Sequence, residues 1–131
     1  MGFEVVPKDD WLFATNHNKN LPAPFQNQVY LLECHLAGTT HIEGIAEKTK
    51  GLNVGSRVKL QRDPKNEHDK QAIGVFIEKD VRIGWVPQHD NEVISRLMDA
   101  GKFLYGQVEE IGSVTKTGYL ELYFKVYLCD I

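Results

Sequence analysis

The sequence is short of most of what catalysis, export and membrane insertion require. It has only two cysteines in 131 residues, Cys34 and Cys129. They are too few and too far apart for a disulfide scaffold or a Cys-x-x-Cys metal knuckle, so a reducing cytoplasm is the expected location. No apolar run approaches the roughly 18 residues that a membrane span needs. Met1-Gly2-Phe3-Glu4 opens with neither a basic nor an apolar leader, so a soluble chain with no membrane partner is expected. Positive charge is not in excess either: 15 Lys and Arg face 18 Asp and Glu, for a net charge of -3. That excludes gripping nucleic acid by bulk charge and leaves only a local basic strip.

Motifs for nucleotide and acyl chemistry are missing as well. There is no G-x-x-x-x-G-K-[ST] and no G-x-G-x-x-G after a strand, which removes the usual phosphate cradles. Ser56, Ser95 and Ser113 sit in turn or helix contexts without a G-x-S-x-G elbow. Asp63, Lys65, Glu67 and Asp69 alternate like a calcium loop, but lysine holds the third position, His68 the sixth and Gly74 the twelfth, where an acceptor, a glycine and a bidentate glutamate belong. Cys34, His35, His41 and His68 are too scattered for zinc, because Cys34 and His35 point to opposite faces of a strand. No metal, cofactor or catalytic residue is expected.

What is present is periodic. Residues 1–28 form an arm, since Asn16, Asn18, Asn20, Pro22, Pro24 and Asn27 interrupt any regular period, while Trp11, Leu12 and Phe13 supply apolar anchors that would moor it to the domain. Residues 29–131 form one domain. Period-two alternation predicts strands over 29–38, 57–62, 72–78 and 81–86, with two more closing the chain. In the last, Leu120, Leu122, Phe124, Val126 and Leu128 form the inner side. Helical turns are expected around Ile42, Ile45, Ala46 and Thr49, with Gly51 as a left-handed cap. A helix of about ten residues should follow Asp90 as its cap, with Val93, Ile94, Leu97 and Met98 on one face and Gly101 as its stop. The fold class is mainly β: a small OB-like or SH3-like barrel of five to six strands with one or two short helices.

One region combines groups suited to nucleic acid. Arg57, Lys59, Arg62, Lys65 and Lys70 offer cations to phosphates; His41 and His68 offer planar rings to bases; Asn66 and Asp69 offer polar groups to sugar hydroxyls. Set against this is the plainer reading, a solvated charged face with turn-forming Asn and Asp. Tyr119, Tyr123 and Tyr127, four residues apart on the outer side of the last strand, read either as an extended stacking platform or dimer patch or as the outer face of an amphipathic strand.

The segment Leu60-Gln61-Arg62-Asp63-Pro64-Lys65-Asn66-Glu67-His68-Asp69-Lys70-Gln71-Ala72-Ile73-Gly74-Val75, with Ile83-Gly84-Trp85-Val86-Pro87 after it, resembles the signature of the HIRAN domain family. Leu36-Ala37-Gly38 and Leu97-Met98-Asp99-Ala100-Gly101 match its first strand and its helix end, so the likeness spans about residues 29–128. The resemblance implies an OB-like barrel of the stand-alone bacterial or phage type. It also implies contacts to the 3′ end of single-stranded DNA from Thr40, His41, Asn66, His68, Asp69 and Lys70. A DNA-end-binding member has an Arg-Tyr pair where this chain has Thr40-His41, and a tyrosine where it has His68. The expected function is therefore a non-enzymatic module that binds single-stranded DNA, including its 3′-hydroxyl end, in repair or replication, with Arg57 and Lys59 on phosphates. The alternative is a protein-interaction domain on the same barrel.

Overall fold

The computed structural model describes residues 27–130. Residues 1–26 of the expected arm lie outside this range, and its last two, Asn27 and Gln28, already belong to the first strand. Six strands form where the alternation places them: β1 (Asn27–His35), β2 (Arg57–Arg62), β3 (Ile73–Ile77), β4 (Val81–Trp85), β5 (Phe103–Val114) and β6 (Leu120–Asp130). Two short helices, α1 (Ile45–Lys48) and α2 (Asn91–Asp99), accompany them. The strands pair antiparallel in the order β1-β6-β5-β2-β3-β4. The inner residues are as expected from period two: Val58, Val75, Ile83, Phe124 and Val126 are all 0% exposed, each such burial contributing about 1.5 to 3 kcal/mol.

The sheet closes on itself just past β1. The strand expected over 29–38 leaves regular pairing at His35; Leu36 still donates its N–H to Leu122 at 2.8 Å, and Ala37 then crosses to β4. Ala37 and Trp85 exchange two N–H to carbonyl bonds of 2.9 Å each, joining the two outer strands into a small OB-like barrel. Two glycines allow this approach. A Cβ on Gly84 would lie 2.7 Å from the Ala37 carbonyl oxygen, and one on Gly38, at φ 72°, would lie 2.5 Å from the Trp85 ring.

Both helices depart from expectation in detail. Gly51 does not take a positive φ, so it caps nothing left-handed; instead Gly44, at φ 68°, precedes α1, and the Thr49 hydroxyl donates to the Ile45 carbonyl at 2.7 Å at its end. A 3-10 turn, Thr39–His41, occupies the preceding segment. Asp90 has helical backbone angles and makes no side-chain cap on α2. Its carboxylate turns to the Cys34 thiol and to His89, 3.3 Å away. The apolar face of α2 is also rotated: Val93 is 60% exposed, whereas Asn91 and Ser95 join Ile94 in the interior. Gly101 does end the helix, at φ 91°, with Gly101 and Lys102 donating to the Met98 and Leu97 carbonyls at 2.9 and 3.0 Å, a Schellman closure.

The end of α2 is tied to the end of β2 by Arg62. Its Nε and Nη2 donate to the two Asp99 carboxylate oxygens at 2.9 and 3.2 Å, while Nη1 and Nη2 donate to the Ala72 and Lys70 carbonyls at 2.9 and 3.0 Å. One guanidinium thus joins strand, loop and helix, the planar fork supplying what a lysine cannot. The Arg62 hydrogen bond, above all, holds the Asp99 carboxyl below its ordinary 3.8.

Two outcomes are expected. Gly84→Ala should lose about 1 to 3 kcal/mol of stability, the usual cost of overpacking, read as a lower denaturation midpoint in urea with an unchanged slope. Asp99→Asn should be less stable than wild type at neutral pH. Because the native Asp99 value is depressed, its contribution is complete above the ordinary carboxylate value and disappears as pH falls through the depressed one. Urea midpoints of the two proteins should therefore converge as the pH falls through that depressed value, and a gap that persisted in acid would show that the pair is not its source.

Candidate nucleic-acid interface

The turn between β2 and β3 is a loop that satisfies itself. Asp63 N–H donates to the Ala72 carbonyl at 2.9 Å and closes the loop base. Asn66 Oδ1 accepts the backbone N–H groups of His68 and Asp69 at 2.9 and 3.1 Å, and its Nδ2 donates to Asp63 at 3.3 Å. These are the local bonds that make Asn a turn residue. Asn66 is thereby committed to the loop's own shape and is only partly exposed.

Asp69 differs in what remains available. Its Oδ1 accepts the Gln71 N–H at 2.9 Å, and its Oδ2 accepts the side-chain amide of Asn91 at 2.7 Å. Each carboxylate oxygen has a second acceptor site, so an oriented anion with spare capacity sits at a half-buried position. Asn91 is 2% exposed and is the residue that sequence reasoning missed; what displaces Val93 from the helix's inner face is this amide reaching the loop. A polar residue at the first position of an amphipathic helix was the available signal. His68 and Lys70 flank Asp69 and are exposed, as is Lys65.

Thr40 and His41 lie in the 3-10 turn that follows the closure, both exposed, with His41 N–H donating to the Gly38 carbonyl at 3.0 Å. The turn is fixed from below by Thr39, 1% exposed, whose hydroxyl accepts the Leu120 N–H at 3.0 Å. Between this turn and the loop stands Trp85, paired on one side with Ala37 and on the other with Gly74 at the start of β3. The signature includes Trp85 without giving it a role; in the fold its half-buried ring lies against Gly38. Arg82 stacks on the rings of both Trp85 and Phe76, 5.1 Å from each centroid. A planar cation and an indole therefore adjoin the two segments that the sequence assigns to binding.

The remaining candidates do not join them. Arg57 begins β2, roughly 16 Å along the strand from the loop, and its guanidinium covers the Tyr105 ring at 4.8 Å. Lys59 pairs with Asp80 at 2.9 Å, at the opposite end of the barrel, where the β3–β4 hairpin turns. Arg62 serves the structural tie described above. Neighbouring residues on a strand are thus spread along its length, and the convergence of all these cations on one patch, expected from their closeness in sequence, is not what the fold produces.

The outer face of β1, β6 and β5 has the opposite character. A cleft of about 530 Å³ is lined by Glu33, His35, His89, Asp90, Glu110, Glu121 and Tyr123. Its four carboxylates, Glu33, Asp90, Glu110 and Glu121, repel phosphate. Burial, and then the neighbouring Asp90 carboxylate, push the Cys34 thiol up to about 12, so this cysteine is not a nucleophile. Among the described residues no group of three or more His, Cys, Asp and Glu is arranged to hold a metal ion, and no helix is long and apolar enough to cross a membrane.

Comparison with solved structures gives the same architecture. A protein from Lactobacillus plantarum superposes with a TM-score of 0.70 at 26% identity, covering 81% of this chain and 99% of that one. The HIRAN domain of human HLTF in its crystal form gives 0.60 at 22% identity over 78% of each chain, and its NMR structure in the DNA-bound conformation gives 0.53 at 21% over 79% of each. None of the curated proteins compared with the chain matches it. The family model for the HIRAN domain matches residues 29–128, the stretch that runs from β1 through the loop and Trp85 into β6. The chain belongs to the HIRAN domain family.

Proposed function

We propose that the protein is a non-enzymatic module that binds single-stranded DNA and takes its 3′-hydroxyl end at the Asp69 loop, in the context of repair or replication. The observation that carries this reading is the Asp69 carboxylate: held from two sides by Gln71 and Asn91, it keeps acceptor capacity on an exposed loop. A terminal hydroxyl has the proton that such an anion wants, whereas a terminal phosphate repels it. His68 and His41 supply surfaces for bases, and Lys70 supplies charge to the phosphates behind them. Asn66 acts through the loop's shape. The HLTF HIRAN domain, which shares the fold, has a DNA-bound conformation, which supports the assignment by likeness of fold. A reducing cytoplasm is proposed as its location, because two cysteines so far apart in sequence do not make a disulfide scaffold.

The second reading, a protein-interaction domain on the same barrel, is favoured by the acidic cleft, which offers carboxylates to a basic partner and nothing to DNA.

Fluorescence anisotropy with oligonucleotides ending in 3′-hydroxyl or 3′-phosphate separates the two. Loss of one hydrogen bond to a charged group costs about 1.5 to 3 kcal/mol, so wild type should prefer the hydroxyl end by roughly ten- to a hundredfold, and Asp69→Asn should narrow that gap. With two to four phosphates neutralised, the log–log salt slope should be about -1.5 to -3. Equal affinity for both ends rejects the role of Asp69. No DNA binding at low salt rejects the module and leaves the interaction domain.

A further inference from the structure

A bulge in β4 puts a cation where strict alternation would not. Gly74 pairs with Trp85 and Val75 with Gly84, but Phe76 then pairs with Arg82, and Ile83 is passed over. In a regular strand, residues 82 and 85 point to opposite faces. The extra residue re-aims the side chain, so Arg82 shares a face with Trp85 and Phe76 and lies 5.1 Å from each ring centroid. Ile83 meanwhile turns into the core, at 0% exposed. Gly74 completes the arrangement: a Cβ there would lie 3.2 Å from Arg82 Nε and 2.7 Å from the Phe76 ring. Its bare backbone is the floor on which the guanidinium rests.

No acceptor among the described residues uses this guanidinium. Arg82 Nε is buried with no hydrogen-bond partner, as is the Trp85 indole N–H, while the two Nη groups reach solvent. Other cations are occupied. Arg62 bonds Asp99 and two carbonyls, Arg96 pairs with Glu92 at 3.1 Å, and Lys59 takes Asp80, the carboxylate only two residues before Arg82, at 2.9 Å. A fork held over two rings has little freedom left to lose when an anion meets it.

We infer that Arg82 holds a phosphodiester of the bound strand, its Nη groups donating to the two non-bridging oxygens. The inference rests on the reading that places the strand's end at the Asp69 loop. Trp85 stands between that loop and the Thr39–His41 turn, so a strand leaving the loop over the indole meets Arg82 next. A carboxylate of a protein partner would fit the same fork, but the position beside both binding segments favours the strand. Arg82 then anchors the backbone and reads no base.

Fluorescence anisotropy of the full chain with a single strand ending in a 3′-hydroxyl tests this. Arg82→Gln should weaken binding about tenfold, the usual scale for a lost charge-assisted bond. It should also make the log–log salt slope shallower by about 0.7, the share of one phosphate on a single strand. The preference for a 3′-hydroxyl over a 3′-phosphate should stay as in wild type, which separates Arg82 from Asp69. Unchanged affinity and slope overturn the assignment and leave the Asp69 reading standing; a wild type that binds no DNA overturns both. Competition by polyglutamate that disappears in Arg82→Gln would give the fork to a carboxylate and overturn the phosphate. If Arg82→Gln does not fold, Arg82→Lys and the strand itself decide. Neutral methylphosphonates placed at each linkage in turn should reveal one position that weakens wild type about tenfold and Arg82→Lys distinctly less. Equal losses at every linkage in the two proteins overturn the inference.

Discussion

The pair of hydrogen bonds between Ala37 and Trp85 turns a six-stranded sheet into a barrel, and the rest of the molecule is arranged around it. Open sheets of this size leave two edges that can pair with other chains; here the chain leaving one edge is tied to the other at the Ala37–Trp85 bridge. The closure dictates Gly84, where any side chain would strike the Ala37 carbonyl, and Gly38, where it would strike the indole. It also sets where the Thr39–His41 turn emerges, with the Thr39 hydroxyl bonded to the start of β6. The site segments are therefore placed by the seam, although neither belongs to a long strand.

Most of the sheet was legible because half-buried strands alternate, and the chain obeys that rule closely in β2 and β6. What was not legible depends on contacts across the fold. The direction of α2 about its own axis is set by Asn91 reaching Asp69 and by Asp90 meeting Cys34, neither of which a periodicity count registers. The loop's internal bonds follow from the N-x-x-D spacing, since an Asn carbonyl bonding two and three residues on is local chemistry. By contrast, grouping Arg57 and Lys59 with the loop treated nearness in sequence as nearness in space. An extended strand is the one element for which that fails fastest. Trp85 was visible as a letter of the signature, but its place between the turn and the loop required the closure.

The net value of -3 is unevenly spread: an acidic cleft lies on the outside of β1, β6 and β5, while on the loop the exposed Lys65 and Lys70 alternate with Asp63, Glu67 and Asp69. The same cleft contains Asp90, whose carboxylate helps keep the Cys34 thiol protonated.

The loop makes its own hydrogen bonds: Asp63 to Ala72 at the base, Asn66 across the tip, and Arg62 to two of its carbonyls. A segment already ordered has no conformational entropy left to surrender on contact, a cost that reaches about 1 to 2 kcal/mol per residue for flexible chain. Recognition at such a loop is rigid, closer to a gauge than to a clamp. Such a loop cannot adapt to a partner of the wrong shape, and one that fits gains nothing from induced closure, so whatever meets it is judged by groups already in place.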